Sequence, residues 1–503
     1  MTEEMKKWDL DDDERRAVKD FFEAKGLPTD IDLTYGDVGL PDQYSDIRSR
    51  SLVTDLSMPF MPHLRLNIPL ISANMESVTG AKMMVAMERE GGLGFLPQSL
   101  PLETRLAMLE QVLRTDCAVI DDPLTVLTTQ TLREAKEKMV KLGVSGAVVV
   151  SPEGHVAGIM SSRDWRYEED DLKKVSELMT TRLSIVPHTI SMEDASNMLR
   201  ERKIEKLLLA DESGDKLMGL MTTRGLFYKS HHPLALRDER GRFVRVGTVG
   251  IGASFSDAHL EEVEAQVKKG INVLLIDTAR AFSVNMGEAL QRVRSVFGSD
   301  LDVVAGNVSN AAGAKFLFEM GADCVKVGQG PGEACRTRDI GIGVPQLTAV
   351  AECGVIARRY GKTIIADGGI KSTADVTKAL IAGANSVMLG FLLAGTEESE
   401  AEEEIVYSKE YNTEIRVKRY YGSASHEAQR RRVERGSLDH ERRAEGVSMM
   451  VPVVGTVAWR VDMLLQHLRS AMTYEGAWTI AELQEKGKFR RQSREGLFEG
   501  TKK

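Results

Sequence analysis

Hydrophobic positions along the chain alternate between two patterns. Short runs rich in β-branched residues occur at Ile68–Ala73, Leu93–Leu96, Val246–Ile251, Val273–Asp277, Val303–Val308, Cys324–Gly328, Thr363–Gly369 and Ser386–Gly390, and each reads as a buried strand. Most are followed by segments whose apolar residues recur at the helical period, such as Asp257–Lys269 and Asn310–Met320. A strand-then-helix order repeated eight times predicts an α/β fold, a (β/α)8 TIM barrel. One interval breaks the rhythm, because about 150 residues separate the second strand from the third.

That interval repeats itself internally, as an inserted domain would. Pro123–Met160 and Pro187–Met221 each read as extended segment, helix, strand, turn, strand. The expected organisation is therefore a first barrel part over 1–117, an insertion over 118–230 and the rest of the barrel over 231–503. Glu398–Glu404 is a charge run and reads as a solvated helix face. Arg430–Arg443 is polar throughout and reads as a mobile surface flap.

Composition narrows the classes. The 503 residues are 42% hydrophobic and 28% charged with a formal charge of −9, an ordinary balance that offers no basic surface for nucleic acid. The four cysteines, Cys117, Cys324, Cys335 and Cys353, have neither CxxC nor CxxH spacing, which argues against a disulfide framework or a zinc site. No apolar run is long enough to span a bilayer, and the first residues are too charged for a secretory signal, so a cytoplasmic protein without a membrane role is expected.

The candidate chemistry follows the sixth predicted strand. Gly328, Gly330 and Gly332 lead into Cys335 and Thr337, and a barrel carries its active site at the C-terminal ends of its strands. Glycines there permit positive φ and close approach of a ligand or a coordinated cation. A glycine loop around an inert thiol is the alternative, since free cysteines are commonly buried filler.

The loop as a whole, Val325–Val350, resembles the catalytic loop of the IMP dehydrogenase and GMP reductase family. Leu70–Gly80 (LISANMESVTG), Gly91–Pro101 (GGLGFLPQSLP), Ile365–Gly369 (IADGG) and Ser386–Gly395 (SVMLGFLLAG) resemble further family segments. The "ANM", "GPG" and "PQL" forms lean toward the reductases. The two repeats of the insertion are similar to paired cystathionine-β-synthase (CBS) modules, which implies adenine or guanine nucleotides as ligands there. Ser161–Asp164 and Thr222–Arg224 stand where such modules carry a ribose-contacting element; only the first keeps its aspartate, Asp164, the second having Gly225 and Leu226.

The resemblance implies a covalent mechanism in which the Cys335 thiolate attacks C2 of a purine nucleotide, GMP or IMP. It implies substrate contacts from Ser72 and Met75, from Asp367 to the ribose hydroxyls, and from Gly368, Gly369, Gly390 and Tyr420 to the 5′-phosphate. Phe391, Gly422 and Ser423 join that set, as does Glu333, which stands where relatives place a phosphate-binding serine and would need an arginine partner such as Arg336 or Arg338. Asp277, Thr278, Ala279, Asn307, Gly328, Gln329 and Gly330 are the implied contacts of the nicotinamide cofactor. Carbonyls of Gly330, Gly332 and Cys335 are the implied ligands of a monovalent cation, potassium. A helix N-cap is the other reading of Asp277 and Asp367, and Thr337 could equally bond its own loop.

Within the family the reading is an NADPH-dependent GMP reductase, with Thr337 and Glu445 protonating the departing ammonia. An IMP dehydrogenase using NAD is the alternative; it would need an Arg-Tyr pair in its flap, and no tyrosine lies between Tyr421 and Glu445. A nucleotide-sensing protein without turnover is the reading from another class. The expected assembly is a homotetramer that can stack to an octamer.

Overall fold

The computed structural model describes residues 8–115, 119–120, 123–141, 144–214, 216–223, 231–237, 242–252, 254–408, 412–435, 444 and 446–501. Cys117, Arg224, Gly225, Leu226 and Glu445 lie outside them, as does the flap from 436 to 443. By their internal contacts the residues form two units: Met1–Val112 with Leu234–Leu236 and Val244–Lys503, and Leu113–Pro233 with Arg237–Phe243.

The first unit is built on eight parallel strands: β1 Leu70–Ser72, β2 Leu93–Gly94, β3 Val246–Gly250, β4 Val273–Asp277, β5 Asp302–Val308, β6 Cys324–Val327, β7 Thr363–Asp367 and β8 Ser386–Leu389. They pair in the order β3 to β8, then β1 and β2, so the predicted barrel is present and nearly closed. Arg105, buried in the helix Leu102–Arg114 that follows β2, donates to the Thr248 carbonyl of β3 and draws the two ends of the sheet together. Burial on both faces explains the unbroken apolar runs, for β5 is buried at all seven positions.

The connecting helices start where the sequence supplies caps. Asn310 accepts from the Gly313 amide ahead of Ala311–Glu319, and Ser372 with Asp375 forms a capping box ahead of Thr373–Ile381. Such caps let each strand turn into a helix within a few residues. The loops left at the C-terminal ends of the strands are therefore short and held in place.

Two expectations change. Glu398–Glu404 is not a helix face: its last residues open the strand Glu403–Ser408, which pairs antiparallel with Thr413–Tyr421. Glu403 and Glu404 bond Arg416 and Arg419 across the ladder, so the charges match a partner strand. Arg430–Glu434, read as the start of a flap without an apolar stripe, continues the helix His426–Glu434, which Ser425 caps and whose first turn buries Ala428 and Gln429.

The second unit repeats one motif. In the first copy Thr125–Leu127 pairs parallel with Gly146–Val150, which pairs antiparallel with Val156–Ser161; in the second, Ile185–Pro187, Lys206–Ala210 and Leu217–Thr222 pair the same way. Both antiparallel pairs carry a register shift at the same place, Val149/Val150 and Leu209/Ala210. A small shared core of Val148, Val150 and Leu208 joins the copies.

Candidate active site

A cavity of about 450 Å³ opens at the C-terminal ends of the barrel strands. Cys335 stands on its wall, with its Sγ 3.2 Å from Thr337 Oγ1. The loop that carries it is pinned from two sides. The Cys335 amide donates to the Gly332 carbonyl at 3.0 Å, and the Ala334 carbonyl accepts the Val447 amide at 3.1 Å while Cys335 forms a bridge with Gly446. Gly328 and Gly330 hold φ values of +146° and +86°, which a side-chain-bearing residue rarely adopts. A Cβ on Gly328 would lie 2.0 Å from the Asp367 carbonyl oxygen, so this loop can reach β7 only as glycine.

Opposite the thiol, Asp367 and Asp277 end β7 and β4. Both carboxylates are met by the buried Lys326 of β6, at 2.8 Å and 3.0 Å. Asn307 donates to Asp367 at 2.9 Å and to the Gly328 carbonyl at 2.6 Å, and Asn74 donates to Asp277 at 2.9 Å. Neither aspartate is the helix cap that its position allowed. Burial alone would lower the ammonium of Lys326, but the two carboxylates outweigh it and hold the group above the ordinary lysine range.

The implied cofactor residues converge. Asp277, Thr278, Ala279, Asn307, Gly328, Gln329 and Gly330 all line the cavity, and Gln329 ties its loop to the Ala279 carbonyl at 2.8 Å. Of the implied substrate residues, Met75, Asp367, Gly368, Tyr420, Gly422 and Ser423 line it as well. Burial, with the charges of Asp367, Glu333 and Cys335, pushes the Tyr420 phenol well above its usual range, so its hydroxyl remains a proton donor.

The other implied residues stand outside the wall. Ser72 is fully buried and accepts from Thr79 at 2.9 Å. Gly390 supports the wall from behind: a Cβ there would lie 2.9 Å from the Tyr420 hydroxyl. Phe391 packs edge-on against the same ring, and Gly369, at φ +76°, continues the turn begun by Gly368. Glu333 pairs with Lys371 rather than with either arginine proposed for it. Arg336 faces Asp339, and Arg338 lays its stem against Gly330.

The carbonyls of Gly330, Gly332 and Cys335 are neutral oxygens on one turn, the hard donors that a monovalent cation takes, though the Gly332 oxygen already accepts one hydrogen bond.

Sequence reasoning missed several wall residues: Asn74, Gln98, Lys326, Gln429 and Arg432. Lys326 carried a signal, being a lone charge inside an apolar strand run. Arg432 reaches the cavity from the helix His426–Glu434 and donates to the Ser423 carbonyl. Next to it Arg435 bonds the buried Glu76 at 2.9 Å, which fastens the end of that helix to the β1 loop.

The second unit holds a cavity of about 300 Å³ whose wall includes Arg114, Ser145, Gly146, Lys206, Thr222 and Thr223. Asp164 does not line it. Its carboxylate accepts from the Ser161 amide and hydroxyl and from Thr180, so it caps its own short helix.

Comparison with known proteins agrees with this geometry. A sequence profile for the IMP dehydrogenase / GMP reductase domain matches residues 32–503. An inosine-5′-monophosphate dehydrogenase of Aquifex aeolicus is 40% identical over 466 residues, covering 91% of this chain and 92% of the relative. One from Staphylococcus aureus is 37% identical, covering 93% and 94%. Among solved structures, a Cys-to-Ala variant of GMP reductase from Trypanosoma brucei in complex with guanosine 5′-monophosphate superimposes with a TM-score of 0.83 at 32% identity, covering 95% of this chain and 98% of that one. The same enzyme in complex with guanosine 5′-triphosphate gives 0.74 at 30% identity, covering 94% and 99%.

Proposed function

The chain belongs to the IMP dehydrogenase / GMP reductase family, and from that premise we propose that it is a GMP reductase, converting GMP to IMP and ammonia with NADPH. The observation that carries the reading is that the segment between Tyr421 and Glu445 has no tyrosine with which to activate water. The 3.2 Å contact between Cys335 and Thr337 on the cavity wall supports the covalent chemistry that both activities of the family share.

Cys335 adds as thiolate to C2 of the purine, and the wall around it supplies the rest. Thr337, together with Glu445, protonates the amino group on C2, so that the C–N bond breaks to ammonia rather than to amide ion. The dinucleotide, when bound, supplies hydride to C2. The C–S bond then breaks, and IMP leaves with the thiolate restored.

Asp367 orients the ribose through its hydroxyls. Gly368, Gly369 and Gly390 offer amides to the 5′-phosphate, the Tyr420 hydroxyl donates alongside them, and Asp277 with Asn307 orients the nicotinamide half. Gly330, Gly332 and Cys335 would hold a potassium ion that stiffens the loop. The second unit is read as a CBS pair that takes adenine or guanine nucleotides in its cavity, on a cytoplasmic homotetramer.

IMP dehydrogenase is the second reading, and the identity to curated dehydrogenases favours it. Incubation with GMP and NADPH, and separately with IMP and NAD, followed by the absorbance of the reduced nicotinamide, separates the two. Oxidation of NADPH with release of ammonia is expected. XMP formed from IMP and NAD, with no ammonia from GMP, would replace the reductase by the dehydrogenase.

A further inference from the structure

We propose that Lys326 is a positioning residue that couples the two halves of the cavity, holding Asp367 on the nucleotide side and Asp277 on the dinucleotide side in one fixed arrangement. The inference rests on the family reading of those two sides and not on the direction of the reaction.

Lys326 is 3% exposed and lies in the middle of β6. Its Nζ meets Asp367 Oδ2 at 2.8 Å and Asp277 Oδ1 at 3.0 Å, so the two carboxylates lie within about 6 Å of one another. Each is steadied again by an amide, Asn307 on the first and Asn74 on the second. The run from Asn74 through Asp277, Lys326, Asp367 and Asn307 ends on the Gly328 carbonyl, at the start of the loop that carries Cys335.

Gly306 of β5 faces Lys326 in the sheet, and a Cβ there would lie 2.5 Å from the Cβ of Lys326. Another buried lysine has a simpler ion pairing: Lys315 meets one carboxylate, Glu14, at 2.9 Å, and donates to the Asp9 carbonyl at 3.1 Å. Lys326 instead faces two acids at once, with Arg432 on the same wall as a further cation near Asp277. That arrangement is costly for stability alone, and it suits a site where both acids receive hydroxyls or amides from bound ligands.

Because one ammonium restrains both acids, a change on either side is felt on the other. Lys326→Met should weaken GMP and NADPH alike, each by about tenfold or more as its carboxylate loses a charged partner. Lys326→Arg keeps the charge and should recover part of both affinities.

The test is titration calorimetry of each ligand alone on the full-length protein, with a thermal melt to verify folding; neither binding measurement needs turnover. If the wild type proves to be a dehydrogenase, IMP and NAD replace the ligands and the expectation stands unchanged. A folded Lys326→Met that binds both ligands as the wild type does, or loses affinity for only one, overturns the proposal. Should that variant not fold, Asp277→Asn decides. It leaves Lys326 to Asp367 alone and should change GMP affinity about threefold or more, and unchanged GMP affinity overturns the coupling.

Discussion

At the scale of single residues the proposed reaction depends on a thiol and a hydroxyl 3.2 Å apart. Cys335→Ala should abolish turnover, whereas Thr337→Ala should keep GMP binding and slow ammonia release by roughly 10²-fold, the usual size of a lost general acid. A stopped-flow assay resolving ammonia release from NADPH oxidation checks this, and equal slowing of both steps would remove Thr337 from the acid role. Glu333 poses a second question, because it stands where relatives are expected to place a phosphate-binding serine and its partner, Lys371, is largely exposed. Lys371→Ala should raise KM for the nucleotide about fivefold at unchanged kcat by leaving that carboxylate unpaired, and adding Glu333→Ser should restore it. Lys371 was hidden from sequence reasoning because it lies 38 positions downstream of Glu333 and meets it only once β7 stands beside β6. The nearer arginines were the natural suggestion. For the same reason Asn74 and Gln98 escaped notice: their partners come from strands far along the chain.

At the scale of elements, period and composition carried the eight strands. A strand buried on both faces shows as an unbroken apolar run wherever it occurs, so β1 to β8 were legible one at a time. The strand Glu403–Ser408 was not, because it begins inside a charge run and its apolar Ile405 and Tyr407 lie on the exposed face, so no buried apolar run marks it. The N-terminal end of β5 gives a testable case of an element under electrostatic load. Asp302 opens that strand, 9% exposed; burial and then the nearby Asp323 push its carboxyl up to about 6, against the milder pull of His63, Arg294 and Lys362. An acid whose folded value is raised destabilises the fold when ionised. The penalty is complete above the folded value and vanishes below the unfolded one, near 3.8. Asp302→Asn should therefore raise stability by roughly 1–3 kcal/mol at pH 8. The gain should shrink between pH 6 and pH 4, as urea denaturation of both proteins across that range would reveal. A gain that stays constant with pH would assign the effect to packing.

At the scale of the whole molecule, one chain carries two units whose sequence signals differ in kind: a strand-helix rhythm for the barrel and an internal repeat for the rest. The chain's return to the barrel is fixed by the barrel itself, because Asn67 donates to the Leu234 carbonyl at 2.8 Å and the Leu236 amide donates to the Glu88 carbonyl at 2.8 Å. Its departure is fixed by the helix Leu102–Arg114, which holds Arg105 against β3. Each anchor belongs to the first unit, as does every residue lining the cavity around Cys335. Replacing residues 118–230 by a flexible glycine-serine linker of about ten residues should therefore leave the active cavity intact, with kcat within about threefold of the full chain. Any response of the rate to added adenine or guanine nucleotides should disappear in the same protein, because the cavity between the two repeats goes with the deletion. Steady-state assays of the folded deletion variant, with and without ATP and GTP, measure both effects together. Complete loss of turnover in a soluble, cooperatively melting variant would mean that the repeat unit supplies part of the catalytic machinery. A response to nucleotides that survived the deletion would place the regulatory ligand in the barrel instead.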